Sequence, residues 1–302
     1  MDYVKISLSF IIPIIMQHFI SSFATINQHQ PWLMPFLNIH QALTQELDNL
    51  SHTSLASWLN DYFNKHHIIP KKHLDNTPLS FTTQNDLPHG VAYERFIDEH
   101  QKIPTRDNLH DWFRACIWSD FPQTRSLLNA KHVTHMSDNG TRNRLRDAIT
   151  VFDENGAILV VCDDVGQHIG TSLAKFDWQN CLVTPRHHWH NPNTPNIHDK
   201  AQVFIFGHAL LEQLINPRKP LCSHTLIITM PHTFFSLSLT DKLSALDRQL
   251  CHTLDDLLID GVTPRKFSPL PILGVPHFWQ ENHNPKFYQD TFVFRQGRRQ
   301  TN

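Results

Sequence analysis

The stretch Ile103-Pro104-Thr105-Arg106-Asp107-Asn108-Leu109-His110-Asp111-Trp112-Phe113-Arg114 constrains this chain most, because many reactive polar groups sit there inside an apolar repeat. Pro104 stops any preceding helix and drives Ile103 into an extended conformation, and Thr105 or Asp107 can accept the first free N–H groups of a helix that follows. Leu109, Trp112, Phe113 and Ile117 recur at helical spacing, which predicts an amphipathic helix from about Asn108 to Ser119, ended by Phe121-Pro122. On that helix His110 and Arg114 fall one turn apart, as do Asp107 and Asp111, with Arg106 at its entrance. A second helix from about Gln123 to His135 would put Asn129 and His132 on one face, and a hairpin of the two would bring His110 toward His132.

These residues, followed by Phe121-Pro122, Leu128-Asn129-Ala130 and His132, resemble an uncharacterised family of bacterial proteins described only as a domain of unknown function. The resemblance continues through Arg144-Leu145-Arg146-Asp147-Ala148, Phe152-Asp153-Glu154-Asn155-Gly156-Ala157 and Phe206-Gly207-His208-Ala209-Leu210-Leu211-Glu212. It includes Pro217-Arg218-Lys219 and Leu270-Pro271-Ile272-Leu273-Gly274-Val275-Pro276 with Phe287-Tyr288, and so covers roughly Trp32 to Arg295. The resemblance implies a domain extent and carries no activity with it.

With 302 residues, 40% of them hydrophobic and 18% charged, the chain can bury a sizeable core as one large domain or two closely packed ones. A formal charge of −2 and a pI near 6.9 give it no global attraction to nucleic acid or anionic membrane. Histidine is abundant at 23 residues, so net charge is sensitive to pH near neutrality. Cys116, Cys162, Cys181, Cys222 and Cys251 are widely separated, form no zinc-finger spacing, and suit a reducing cytoplasm as small buried hydrophobes.

At the N-terminus, Ile6 to Ile20 is an apolar run preceded by Lys5, and Ser22-Phe23-Ala24 has the pattern of a signal cleavage site. Asp2 balances Lys5, Pro13 interrupts the run, and Gln17 and His18 fall late in it. The run is also short of the roughly 18 uninterrupted apolar residues of a spanning helix. A buried or dispensable helix is therefore expected, with a signal or anchor as the alternative. Trp32 to Leu79 reads as helical up to Pro70, followed by a short strand at Leu79-Ser80-Phe81. Ala148-Ile149-Thr150-Val151-Phe152 and Ala157-Ile158-Leu159-Val160-Val161 flank Asn155-Gly156, which predicts a β-hairpin. Ala201 to Leu214 fits a helix with His208 and Glu212 on one face, Leu226 to Met230 a strand, and Ser238 to Ile259 a capped helix followed by Gly261. Phe267 to Arg295 is too apolar for a tail and should wrap over the domain as an ordered segment.

The expected fold is α+β, with helices at both ends packed on a small, mainly antiparallel sheet in a single large domain. Its bounds are an N-terminal apolar extension at 1–31, a globular span at 32–295 and a short basic tail at 296–302. A pocket is expected where Arg106 to Arg114 meets Arg142 to Asp147 and His208. One chemistry for it is a metal-assisted hydrolase, with His110, His132 and His208 holding zinc or a similar divalent ion and Asp111 or Glu212 as ligand or base. Another is metal-free hydrolysis of a small anionic substrate, with His110 as acid or base, Asp111 or Asp107 orienting it, Arg106 or Arg146 holding the substrate, and Asn108 and Asn129 lining the site. Compact zinc signatures such as His-Glu-x-x-His are absent, as is a Gly-x-Ser-x-Gly turn, and burial would silence Cys116. The third alternative is a non-catalytic domain that binds a small molecule or a protein in the same pocket, the charged residues serving as caps and buried ion pairs.

Overall fold

The computed structural model describes residues 8–50, 52–136 and 143–297. Helices predominate over two small sheets, so the chain is α+β. It divides into two compact units, Met1–Gln28 with Phe36–Thr134 (unit 1) and His29–Pro35 with His135–Asn302 (unit 2). Arg142 and residues 298–302 of the expected basic tail lie outside the described residues.

Unit 1 is mostly helical. Helix α1 (Leu8–Phe23) follows the N-terminal apolar run, and no helix among the described residues is long and apolar enough to cross a membrane. Helices α2 (Leu37–Leu50) and α3 (Leu55–Lys65) follow the expected spacing, and Trp58 Nε1 ties them by donating to Glu46 Oε2 at 2.7 Å. Strand β1 (Ser80–Thr83), helix α4 (Tyr93–His100) and strand β2 (Lys102–Thr105) come next, β1 and β2 pairing in parallel. Pro104 lies in β2, in keeping with an extended entry to α5 (Leu109–Asp120), and α6 (Pro122–Thr134) completes the expected helical pair. The buried apolar stripe of α5 includes Trp112, Phe113, Ile117 and Trp118.

Unit 2 is built on a four-stranded mixed sheet. Helix α7 (Arg144–Asn155) leads directly into β3 (Gly156–Val161), and α8 (Asp163–Ala174) follows. Strand β4 (Ala201–Ile205) precedes α9 (His208–Gln213), and β5 (Cys222–Thr229), α10 (Leu239–Leu257) and β6 (Ser268–Pro271) follow in turn. The sheet order is β4-β3-β5-β6, with β3 antiparallel to β4 and parallel to β5, and β5 antiparallel to β6. Every residue of β3 is buried, which explains its uninterrupted apolar sequence.

Two expected elements are corrected here. Asn155-Gly156 forms no hairpin, because residues 148–152 belong to α7. Leu145, Ala148, Ile149 and Phe152 also make a helical stripe, all four are buried, and the Asn143 side chain caps the helix at the Arg146 N–H. Gly156 serves close approach rather than a turn, since a Cβ there would stand 2.2 Å from the Phe152 carbonyl oxygen. The second correction concerns Ala201 to Leu214, whose first half is strand β4, with β-branched Val203 and Ile205, before α9 begins at His208. The segment after β6 is ordered as expected, and the Arg186 guanidinium pins it by donating to Asn282 O at 3.0 Å and Oδ1 at 2.8 Å.

His40 of α2 is buried in unit 1, stacked on Phe23 at a ring separation of 4.4 Å and edge-on to Trp112 at 6.3 Å. Burial pushes its imidazole from 6.5 down to about 4. Between those values the unfolded chain binds a proton that the folded chain does not, so stability must fall as pH drops from about 6.5 to about 4. His40→Leu is expected to remove about 3 kcal/mol of this acid sensitivity. Urea denaturation across that range checks it, and an unchanged slope contradicts it.

Candidate functional site

The residues singled out in the sequence divide between the units. In unit 1, Asn108 caps α5 by accepting the Asp111 N–H at 2.8 Å, and Asp107 reaches α3 by accepting the Leu55 N–H at 2.8 Å. Asp111 is buried beneath Arg106 and Arg114. Its Oδ2 accepts from the Arg106 backbone N–H at 2.7 Å and from Nε at 2.9 Å, and its Oδ1 accepts from Arg106 Nη2 at 3.0 Å with Arg114 Nη1 at 3.1 Å. Burial alone would raise the Asp111 carboxyl, but the Arg106 hydrogen bonds and the two guanidinium charges outweigh it and hold the group below the usual carboxylate range. Arg114 also stands 3.1 Å from His110 Nε2 and packs its guanidinium over the Tyr93 ring at 4.8 Å. Of the expected trio, Arg106 and Asp111 thus bond directly, and His110 is linked to Asp111 through Arg114.

The remaining predicted residues are spread along other elements. Asn129 of α6 donates to the Glu94 carbonyl at 3.3 Å, and His132 is buried on the same helix. In unit 2 Arg146 is half-buried in the first turn of α7, while His208 is buried at the start of α9 with Nδ1 at 2.8 Å from the Asp153 carbonyl oxygen. Among the described residues no group of three or more His, Cys, Asp or Glu side chains is arranged to hold a metal ion. Of the three histidines proposed for zinc, His110 and His132 lie in unit 1 and His208 in unit 2. Burial raises the Cys116 thiol well above its ordinary value, so it is no nucleophile.

Unit 2 contains a pocket of about 360 Å³ that the sequence did not single out. Strand β4 supplies Gln202, Val203 and Phe204, α10 supplies Leu239 and Lys242, and Trp189, Phe235 and Phe278 add aromatic walls. The walls are held in place: Trp189 Nε1 donates to the Cys181 carbonyl at 2.9 Å, Phe278 packs on Trp32 at 6.0 Å, and Asn282 Nδ2 donates to the Val275 carbonyl at 2.7 Å. Ile197, Leu237 and Leu239 line the pocket and are exposed, so its mouth is apolar as well.

The polar side of this pocket is small and concentrated. Lys242 is only 5% exposed; its Nζ lies 3.5 Å from Gln202 Oε1 and 5.8 Å from each of the Phe234 and Phe235 rings. Burial pushes the Lys242 amine below its ordinary range, with the Asp199 charge opposing. Its place in the first turn of α10 adds repulsion from the positive end of the helix. His190 also lines the pocket, with Nδ1 at 2.8 Å from Asp199 Oδ2, and the buried Asp199 carboxylate accepts the Asn196 N–H at 3.3 Å. One signal for Lys242 was present in the sequence: it falls three residues after Leu239 and four before Leu246, inside the apolar stripe of the helix. His190 and Asp199 carried none, since they meet through a loop with no periodic pattern.

The fold and pocket define an α+β protein with an apolar cavity bearing a few polar groups. Residues 79–298 match the family described as protein of unknown function, DUF3025, and the chain belongs to that family. The match begins at residue 79, so residues 32–78 lie before it. No curated protein and no solved structure matches the chain.

Asp111→Asn tests whether the unit 1 cluster holds structure together. It leaves two guanidiniums over a neutral amide and is expected to cost about 3 kcal/mol of stability. Urea unfolding followed by circular dichroism measures this, and a loss below about 0.5 kcal/mol, the range of an ordinary surface change, contradicts it.

Proposed function

We propose that this protein binds a small molecule with an apolar, ring-bearing body and an oxygen-rich head, carboxylate or carbonyl, in the unit 2 pocket. The observation that carries this reading is the buried Lys242 amine at a largely apolar cavity, whose hydrogen-bond acceptor among the described residues is Gln202 Oε1 at 3.5 Å. A desolvated ammonium is stabilised only by partners, and a charge-assisted bond to a ligand oxygen contributes about 1.5–3 kcal/mol. The aromatic walls and apolar mouth provide for the rest of such a ligand.

A hydrolase centred on His110, Asp111 and Arg106 has weaker support. Both oxygens of Asp111 already accept from Arg106 or face Arg114, which leaves that carboxylate little capacity to orient His110.

Isothermal titration calorimetry with 2-naphthoate and 2-naphthylmethylammonium tests the binding reading. The natural protein is expected to prefer the anion by about tenfold or more, equivalent to roughly 1.4 kcal/mol. Lys242→Met should erase that preference. Equal binding of the two probes, or a preference kept by the variant, contradicts the reading.

A further inference from the structure

The pocket holds more chemistry than binding requires. His190 presents Nδ1 to Asp199 Oδ2 at 2.8 Å, an arrangement that in the neutral imidazole places the ring proton on Nδ1 and makes Nε2 the acceptor. Nε2 has no hydrogen-bond partner among the described residues, and the ring lines the cavity. Asp199 is 4% exposed and is fixed a second time by the Asn196 N–H, so the orientation of the imidazole is set before any ligand arrives. Lys242 lines the same cavity and offers an amine near Phe234, Phe235 and Gln202, with the Asp199 carboxylate acting on it through space. Desolvation and the start of α10 both favour its neutral form, which is the nucleophilic one.

We propose that Lys242 condenses with the carbonyl group of an apolar, ring-bearing aldehyde or ketone to form a Schiff base in this pocket, with His190 moving the proton. This step rests on the reading that the pocket binds such a molecule. The lone pair of the neutral Lys242 Nζ forms the new C–N bond while the carbonyl π pair moves to oxygen. His190 Nε2 takes a proton from the nitrogen and returns it to the oxygen, giving a carbinolamine. A second proton, taken up from solvent and delivered to that hydroxyl by His190 Nε2, lets the C–O bond break; one water leaves and the nitrogen lone pair closes the C=N bond, giving the protonated Schiff base. No oxidant or reductant is consumed. Asp199 acts as a positioning residue, holding the tautomer that keeps Nε2 available.

The full chain incubated at pH 7 with 2-naphthaldehyde and sodium cyanoborohydride provides the test, since the hydride reduces an imine to a stable secondary amine that peptide mass spectrometry locates. The expected result is a single naphthylmethyl adduct on Lys242, suppressed by excess 2-naphthoate and absent from Lys242→Arg. His190→Gln should slow the adduct at least severalfold and alter the pH profile of its rate, which a purely structural role would not do. Adducts spread over surface lysines with Lys242 unmodified would overturn the proposal. If 2-naphthoate still binds in that case, the pocket stands and the Schiff base falls; if neither probe binds, both readings fall together. Lys242→Arg that still binds 2-naphthoate shows that the variant is folded and that the lost adduct reflects the missing amine.

Discussion

The unit 2 pocket depends on keeping the Lys242 amine out of water. An ammonium transferred to an apolar setting loses several kcal/mol of hydration even after the surroundings relax, and ion pairing is the usual remedy. Here Lys242 has an amide oxygen at 3.5 Å and two aromatic faces at 5.8 Å, and its own helix begins beneath it with the positive end of its dipole. Asp199 acts on it only through space, because that carboxylate is already committed to His190 and Asn196. The sheet holds this arrangement in place: β4 fixes Gln202 and Phe204 through its pairing with β3, and the turn of 3-10 helix at His232–Ser236 supplies Phe234 and Phe235.

The two units treat charge in opposite ways. In unit 1, Arg106 and Arg114 share the Asp111 carboxylate at hydrogen-bond distance, and Asn108 and Asp107 use their oxygens to cap backbone N–H groups. Both oxygens of the Asp111 carboxylate are thereby committed within the protein. In unit 2, the Lys242 amine and the Nε2 of His190 keep capacity in reserve at a cavity wall. Polar groups whose needs the fold leaves incompletely met are where a ligand gains most, and in unit 2 both of these groups line one cavity.

Much of the helical frame was legible in the sequence. The stripe Leu109-Trp112-Phe113-Ile117, the Asn108 cap and Phe121-Pro122 specify α5 and its end, and Ser238 with the leucines at 243, 246, 250 and 254 specifies α10. The α7–β3 junction was misread because residues 148–152 combine β-prone types with a helical burial pattern, and only the packed structure shows Gly156 beneath the Phe152 carbonyl. Polar residues are also dense at Arg106–Arg114, where Arg106 and Arg114 share the Asp111 carboxylate. The pocket was less visible because its polar members come from separate parts of the chain, with Lys242 on a helix and His190 and Asp199 around a loop, and only the last two are linked by a hydrogen bond.

The charge state of Lys242 tests the central claim most directly. Nuclear magnetic resonance of lysine carrying ¹³C at Cε, assigned with Lys242→Arg, follows its titration in the free protein and in the presence of 2-naphthoate. The account predicts a Lys242 resonance that titrates below the ordinary lysine range when the pocket is empty and moves upward when the carboxylate binds. A resonance that titrates with the surface lysines and ignores the ligand would contradict it.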